Sequence, residues 1–365
     1  MKNLKLLSLF LALTMLFSLA ACGRDNTVVS PSPSGSASTE PTPSQSEPTE
    51  SQPVESQPTE SGAPDAEPLH FTVLSGPTGV GAAKLLNDID NDIAEHPYEY
   101  TIASANDQLT SMLANGETDI ATMASNVALN YYNKTNGSIR VIALGTLGVL
   151  HILEGNGGDS IHSVLDLMGK TILSVGQGAN PEYALRHILT ENGLDPDFDV
   201  TIEFYTDASE ITAKLLSGEA DCAMLPVPAA TAAVAKSQGS VRAALDLTAE
   251  WNALDNGSQL VMTAVVVRTE FLQEHPEAVD AFLVDYAASI DYVNGNIDEA
   301  SELVAGYGLA PSAAIAAKAI PQCHLVCITG ANMQHVIDGY YTVLYNANPS
   351  SIGGSLPDDS FYYVP

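Results

Sequence analysis

The sequence predicts an α/β protein built from two similar lobes, with the second lobe inserted into the first. Residues 113–121 read LANGETDIA, and about one hundred residues later residues 215–223 read LLSGEADCA. Each copy ends an apolar pattern of helical spacing, stops at a glycine and continues into a short apolar run typical of a buried strand. A period this long exceeds that of solenoid repeats, so it favours two like lobes that face each other across a cleft.

The unit upstream of each copy is also repeated. An apolar strand pattern, a glycine-bearing turn and a helix pattern begin at residue 71, and the same order begins again at residue 171. The predicted strands cover residues 71–74, 100–102, 120–123, 139–144, 149–153, 171–175, 200–205, 222–225, 242–247 and 261–268. Beyond the two corners, helices are predicted at 163–169, 229–236, 297–307, 311–319 and 330–344. A helix is also predicted to start at residue 269, before a long one that has Pro276 in its first turn and runs through residue 294.

The β-branched strand pattern at 261–268 predicts the point at which the chain returns to the first lobe. We therefore predict lobe one at 69–146 and 261–365, and lobe two at 147–260. The two crossing segments would form the hinge, and closure around a small ligand is the motion that such a hinge permits.

The first twenty-one residues are predicted to be a secretory signal outside the fold. Lys2 and Lys5 precede an apolar run, and small residues lead to Cys22. A short run with this ending is typical of a cleaved signal peptide. It resembles the lipobox of bacterial lipoproteins, which implies cleavage before Cys22 and a lipid on its sulfur. The alternative is an ordinary signal peptide followed by a chance cysteine.

Residues 22–68 are predicted to be the lipidated cysteine followed by a disordered linker. Beyond Cys22 they consist mainly of Ser, Pro, Thr, Glu and Gln, with very few apolar side chains to drive collapse. A tether of this kind holds a domain away from a membrane, and we infer a Gram-positive-type cell surface. The remaining 297 residues, 69–365, suit one large or two medium α/β domains.

Charge and cysteine usage exclude several classes of function. A formal net charge of −31 argues against nucleic acid as a partner, because phosphate binding needs clustered Lys and Arg. Cys323 and Cys327 lack a second Cys or His pair at metal spacing, so we predict no metal site and no cofactor. Together with Cys222 they are predicted to be buried apolar cysteines.

Four loops at the carboxyl ends of strands are predicted to line the cleft, because open α/β sheets bind ligands there. Glycines in these loops let the backbone approach a ligand, and helix N-termini offer unpaired N–H groups. A dinucleotide site is not predicted, because the glycines of 76–81 do not follow the G-x-G-x-x-G spacing. Each loop also has the plainer interpretation of a strand-to-helix turn. The candidate ligand-binding residues are Gly76, Pro77, Thr78, Ser125, Asn126, Gln177, Gly178, Asn180, Tyr183 and Pro228.

Three aromatic and three basic side chains are also considered as ligand contacts. Tyr183, Tyr205 and Trp251 are able to stack on a ligand ring, but single aromatics more often belong to a core. Three basic residues, Arg186, His151 and Arg268, are able to neutralise an anion and fit a surface or hinge position equally well. No ordered Ser/His/Asp set or carboxylate pair indicates catalysis.

In these features the chain resembles the solute-binding lipoproteins of ABC importers. The doubled corner, the lipobox and the spacer are similar to the type II binding class that serves nitrate, sulfonates, taurine and thiamine-pyrimidine precursors. Residues 166–172 (DLMGKTI) are similar to the Asp-Leu-x-Gly-Lys-x-Ile segment that enters lobe two in that class. Residues 224–228 (MLPVP) are similar to its Leu-x-x-Glu-Pro loop, although Val227 replaces the acidic residue.

The resemblance implies a two-lobed type II periplasmic-binding-protein fold and ligand capture by lobe closure, and it does not identify the ligand. Our first hypothesis is a receptor that captures a small, anionic or heteroaromatic nutrient without catalysis. The resemblance also implies an ABC permease and ATPase as partners. We further predict a lipid-anchored extracytoplasmic location, from the lipobox, and a monomer.

One alternative is a ligand-sensing lipoprotein that reports to a surface receptor. The other alternative is an extracytoplasmic enzyme on the same fold, which is shared by menaquinone- and thiamine-pathway enzymes. The predicted export signal argues against that alternative, as does the lack of the cysteine-rich iron-site motif of the pyrimidine synthases.

Overall fold

The computed structural model describes residues 67–364 as a mixed α/β structure with two sheets. The signal peptide, Cys22 and nearly all of the predicted linker lie outside these residues. The strands are β1 (Leu69–Leu74), β2 (Tyr98–Ala103), β3 (Ile120–Ala124), β4 (Ile139–Thr146), β5 (Leu150–Glu154), β6 (Thr171–Ser174), β7 (Thr201–Phe204), β8 (Cys222–Pro226), β9 (Arg242–Asp246), β10 (Thr263–Arg268) and β11 (Leu325–Ile328).

Thirteen α-helices cover the sheets within the described residues. They are α1 (Pro77–Val80), α2 (Ala83–Asp90), α3 (Asn106–Asn115), α4 (Ser125–Thr135), α5 (Asn180–Glu191), α6 (Ala208–Ser217), α7 (Ala229–Lys236), α8 (Leu247–Ala253), α9 (Thr269–Glu274), α10 (Pro276–Gly295), α11 (Ile297–Gly306), α12 (Ala313–Ala319) and α13 (Gly330–Ala347).

The two sheets share one strand order. The first runs β2-β1-β3-β10-β4, with β11 added at its edge, and the second runs β7-β6-β8-β5-β9. In each sheet three neighbouring strands are parallel and the fourth, β10 or β5, is antiparallel to both of its neighbours. The fourth strand of each sheet begins where the chain has just crossed from the other sheet. The sequence repeat therefore corresponds to a structural repeat, and the predicted two-lobed α/β fold is confirmed.

The doubled corner forms the same turn twice. Helix α3 ends at Gly116 with φ 72°, and α6 ends at Gly218 with φ 79°. In both turns the glycine N–H and the following Glu N–H donate to carbonyls of the last helical turn. This left-handed cap is the conformation that glycine adopts at least cost. Strands β3 and β8 follow, and both are almost entirely buried.

Two segments connect the sheets. The chain leaves the first sheet after β4 and returns to it at β10, and the Thr146 and Thr263 hydroxyls are hydrogen-bonded where these strands meet. These segments have the positions of the predicted hinge. The lobe boundaries at residues 147 and 260 stay a prediction.

Each predicted strand is present, but several elements were not predicted. Residues 125–135 form helix α4, so Ser125 and Asn126 begin a helix and are not part of a loop as predicted. Helix α8 and strand β11 were also missed, because both are short and lack a clear apolar period. The three described cysteines are free; Cys222 and Cys323 are buried as predicted, whereas Cys327 is only partly buried. No helix within residues 67–364 combines the length and apolar character needed to cross a membrane.

Candidate functional site

A cavity of about 770 Å³ lies between the two lobes and is called the interlobe cavity below. Lobe one contributes residues 75–77, which follow β1, and residues 305–311, which join α11 to α12. Lobe two contributes one face of α6 and residues 226–232, which follow β8. The cavity therefore lies at the carboxyl ends of strands in both sheets, where α/β folds bind ligands.

The wall of the interlobe cavity is mainly apolar. Pro77, Val227, Pro228, Leu309 and Ala310 belong to it, and Val227 is fully buried. This composition suits the body of a small organic ligand, because ligand cavities are mostly apolar with a few placed polar groups.

Polar groups are found chiefly toward the exposed parts of the cavity. Asp207 accepts a hydrogen bond from the Ser209 backbone N–H at 2.8 Å, which lowers the pKa of its carboxyl. The carboxylate thereby caps α6 and uses a donor that a ligand would otherwise meet. Lys236, the last residue of α7, is exposed and is the only Lys or Arg among the described residues lining the cavity. An anionic group of a ligand has its best side-chain partner there.

Three of the predicted ligand-binding residues line this cavity: Gly76, Pro77 and Pro228. Gly76 precedes α1 with φ 85°, and Pro77 is the first residue of that helix. Pro228 precedes α7. The first and fourth predicted loops thus face each other across one cavity, one from each lobe.

Four other predicted residues lie in a hydrogen-bonded contact between the lobes, the interlobe seam, formed by Ser125, Asn126, Gly178 and Asn180. Its centre is Asn180, which is fully buried. The Asn180 Oδ1 accepts from the Asn126 N–H at 3.3 Å and from the Tyr340 hydroxyl at 3.0 Å. The Asn180 Nδ2 donates to the Met262 carbonyl at 2.7 Å and to the Ser125 Oγ at 3.0 Å.

Asn126 completes the seam from lobe one. Its Nδ2 donates to the Gly178 carbonyl and to the Ser351 carbonyl, each at 3.2 Å. Ser125 donates from Oγ to the Val261 carbonyl at 2.7 Å. The seam residues are therefore occupied by protein partners, and they do not line the interlobe cavity. Asn126 Oδ1 is the exception, because this buried acceptor has no hydrogen-bond partner among the described residues. A ligand contact by the seam residues stays a prediction.

The remaining candidates, Thr78, Gln177 and Tyr183, are not brought together. Thr78 is half-buried in α1, and Gln177 is exposed beside the seam. Tyr183 lines a separate cavity of about 820 Å³ between α5 and the end of α13. None of the three lines the interlobe cavity.

The basic candidate residues lie outside the interlobe cavity. Arg186 donates to Glu182 at 2.9 Å and to Asp197 at 2.8 Å. Arg268 donates to Asp119 at 2.8 Å. Burial lowers the pKa of His151, so its imidazole is uncharged at neutral pH. Arg186 and Arg268 are therefore engaged in ion pairs, and none of the three side chains lines the interlobe cavity. Trp251 is fully buried, as a core residue is.

Sequence reasoning missed two walls of the cavity. Helix α6 contributes Ala208 and Thr212, and the α11–α12 segment contributes Leu309 and Ala310. Small apolar residues carry no chemical signature. The segment GLAPS at 308–312 breaks a helical pattern and was the one available hint. In the described part of the chain, no group of three His, Cys, Asp or Glu side chains is placed to hold a metal ion.

With the geometry established, comparison with known proteins identifies relatives. A family model described as NMT1/THI5 like matches residues 98–300. The structure is similar to an ABC transporter from Parabacteroides distasonis, with a TM-score of 0.66 and 23% identity over 81% of this chain and 98% of that one. No curated protein matches the chain.

Two further solved structures are similar. One is the periplasmic aliphatic sulphonate binding protein SsuA from Escherichia coli, with a TM-score of 0.66 and 16% identity over 82% of this chain and 93% of that one. The other is a putative periplasmic sulfonate-binding protein SsuA from Methylobacillus flagellatus, with a TM-score of 0.63 and 15% identity over 83% and 93%. These similarities confirm the predicted periplasmic-binding-protein fold.

Proposed function

Because this chain belongs to the NMT1/THI5-like family, we propose that it is the extracytoplasmic solute-binding component of an ABC importer. The observation that carries the proposal is the interlobe cavity, whose wall is shared between the carboxyl ends of β1 in lobe one and β8 in lobe two. A ligand there contacts both lobes, so its binding energy favours the closed arrangement over the open one.

Capture requires no bond to be made or broken. The ligand enters while the lobes are apart, and rotation about the two crossing segments brings the walls formed by residues 75–77 and 226–228 onto it. The apolar wall excludes water, which strengthens each polar contact that the ligand makes inside. The ligand is then delivered to the permease when the two lobes reopen.

The ligand is proposed to be small and anionic or heteroaromatic. A volume of about 770 Å³ falls in the usual range for small-molecule sites. The described lining contains no aromatic side chain and no arginine, so a ring would pack on Pro77 and Pro228 rather than stack on another ring. An anionic group would face Lys236. Similar structures named for sulfonate binding make alkylsulfonates a natural first test.

Anchoring and location complete the proposal. The predicted lipid on Cys22 would hold the protein at the outer face of the cell membrane, since an acyl anchor attaches a protein without spanning the bilayer. The importer's permease and ATPase are the proposed partners, and the protein is proposed to act as a monomer at a Gram-positive-type surface.

A thermal-shift screen tests the proposal directly. Nitrate, alkylsulfonates, pyrimidines, riboflavin and aromatic acids are added to the purified protein, and unfolding is followed by temperature. A ligand at one hundred times its dissociation constant adds about 2.7 kcal/mol of stability, which raises the melting temperature by several degrees. Chemical turnover of a stabilising compound would contradict the binding role and favour an enzyme.

Two variants test whether the ligand binds in the interlobe cavity. Ala229→Phe fills the cavity from the start of α7 and is expected to abolish binding, whereas Ala235→Phe changes an exposed position on the same helix and lies outside the cavity. Equal binding by both variants would place the ligand elsewhere.

A second pair of variants tests the proposed contact between Lys236 and an anionic group of the ligand. Lys236→Gln is expected to weaken the binding of an anionic ligand by up to about fivefold, because an exposed charge pair is worth about 1 kcal/mol or less. Lys134→Gln is the control, since Lys134 is an exposed lysine in the last turn of α4 and is absent from the cavity wall. A neutral heteroaromatic ligand should bind both variants equally.

A further inference from the structure

The residues after α13, 348–364, pack along lobe one and are called the C-terminal strap. They contain two short 3-10 turns, Pro349–Ile352 and Asp359–Phe361. Ile352 and Phe361 are fully buried, and the Phe361 ring lies 4.8 Å from the Tyr132 ring of α4. The Tyr363 N–H donates to the Val141 carbonyl of β4 at 2.9 Å. The strap is therefore an integral part of the lobe rather than a loose tail.

Asparagine side chains on one face of α4 donate hydrogen bonds to backbone carbonyls of the strap. Asn126, Asn130 and Asn133 are spaced by four and three residues, so they share that face. The Nδ2 atoms of Asn130 and Asn133 donate to the Ser350 carbonyl at 3.2 Å and the Ile352 carbonyl at 2.7 Å.

Gly353 lets the strap approach α4 closely. Its φ is +82°, and a Cβ placed there would lie 3.0 Å from the Asn133 Cβ and 3.1 Å from the Asn130 carbonyl oxygen. The next residue, Gly354, has φ +93° but has nothing within 4 Å of such a Cβ. Both glycines have a positive φ, which disfavours other residues, but only Gly353 lies against α4.

Asn126 connects this contact to lobe two. Its two N–H groups divide between the Ser351 carbonyl of the strap and the Gly178 carbonyl of lobe two. Both neighbours are acceptors only, so the amide has one acceptable orientation. With the strap in place, the side chain is held in the position from which it reaches the other lobe.

We propose that the C-terminal strap controls the separation of the two lobes, and that Asn126 is the positioning residue that transmits its state to the seam. Displacing the strap frees the Asn126 amide to rotate, the bond to Gly178 is lost, and the open arrangement gains population. The proposal goes beyond solute binding, because it concerns an equilibrium that can be measured with no solute added.

The test measures the distance between lobes by paired spin labels. Cysteines replace Glu210 on α6 and Glu302 on α11, which are exposed and lie near cavity-lining residues of opposite lobes. The background carries Cys22→Ser. Burial raises the pKa of Cys222 and Cys323 to about 12 and that of Cys327 to about 11, so these native thiols label slowly at neutral pH.

Strap variants are then compared with matched controls. Gly353→Ala is expected to raise the fraction of the long-distance population about fivefold, the effect of losing one hydrogen bond. Gly354→Ala, which carries the same backbone strain without the contact, should leave the distribution unchanged. Asn130→Ala/Asn133→Ala should act like Gly353→Ala, whereas the exposed Asn91→Ala should not.

The Asn126→Ala background distinguishes coupling between the strap and the seam from a general loss of stability. In Asn126→Ala protein the long-distance population should already be raised, and adding Gly353→Ala should change it no further, because residues that act in series are not additive. The proposal is overturned if Gly353→Ala lowers the melting temperature but leaves the distance distribution unchanged. It is also overturned if Gly353→Ala and Gly354→Ala shift the distribution equally.

Discussion

Replacing Asn180 with alanine should be among the most damaging single changes in the chain. Its side chain is fully buried where α5 of lobe two meets lobe one, and it makes hydrogen bonds through both of its polar atoms. Asn180→Ala removes the acceptor used by the Asn126 N–H and by the Tyr340 hydroxyl. Both donors are buried, so water does not replace the lost partner.

The magnitude follows from counting the groups left unpaired. The Met262 carbonyl keeps a donor in the Ser125 N–H at 3.0 Å, and the Ser125 hydroxyl still donates to the Val261 carbonyl. Two buried donors are therefore orphaned, at about 1–3 kcal/mol each. We expect a loss of roughly 2–6 kcal/mol, which is a large part of the 5–15 kcal/mol that stabilises a typical protein.

Urea unfolding followed by circular dichroism measures this loss. Asn192→Ala is the control, because Asn192 follows the other end of α5 and its side chain makes one hydrogen bond, to the Ile188 carbonyl at 2.8 Å. The control should cost about 1 kcal/mol or less. If Asn180→Ala costs no more than Asn192→Ala, the reasoning about orphaned donors at the seam is wrong.

Three further predictions concern the lobes individually. Burial tends to raise the pKa of Glu154, but hydrogen bonds from residues 160 and 161 and from Arg242 lower it to about 2 from its usual 4.5. Its contribution to stability is thus present above pH 4.5 and lost as pH falls toward 2, and Glu154→Gln should flatten that part of a stability-versus-pH curve. Cys222 and Cys323 should react with a thiol reagent only after unfolding; fast reaction in the native protein would contradict their burial. Trp251, the only tryptophan, should resist quenching by iodide, and quenching as efficient as in urea would place it at the surface.

Local features of the fold were predictable from the sequence. The two left-handed caps at Gly116 and Gly218 were visible because helix ends depend on neighbouring residues alone. The buried strands after them were visible because an apolar run reports burial directly. Helix α4 was harder to predict, because its Asn-rich face contacts the strap and interrupts the apolar pattern.

The candidate site was predictable only in part. Gly76 and Pro77 follow β1, Pro228 follows β8, and all three line the interlobe cavity, as predicted for loops at the carboxyl ends of strands. Asn126 after β3 and Asn180 after β6 also lie beyond the carboxyl ends of strands, yet they bond to each other instead. Nothing in either local sequence distinguishes a loop that faces a cavity from one that forms a seam.

The amino-acid sequence by itself determined the repeat, the sheet-forming segments, the helix ends and the class of fold, because these follow from periodicity and short-range hydrogen bonding. Tertiary structure decided which loops meet across the lobes, which small residues of α6 and the α11–α12 segment wall the cavity, and that the C-terminal strap is clamped by α4. The physical reason is that these outcomes depend on contacts between residues as far apart as Asn126 and Ser351, whose juxtaposition is set by the packing of whole lobes.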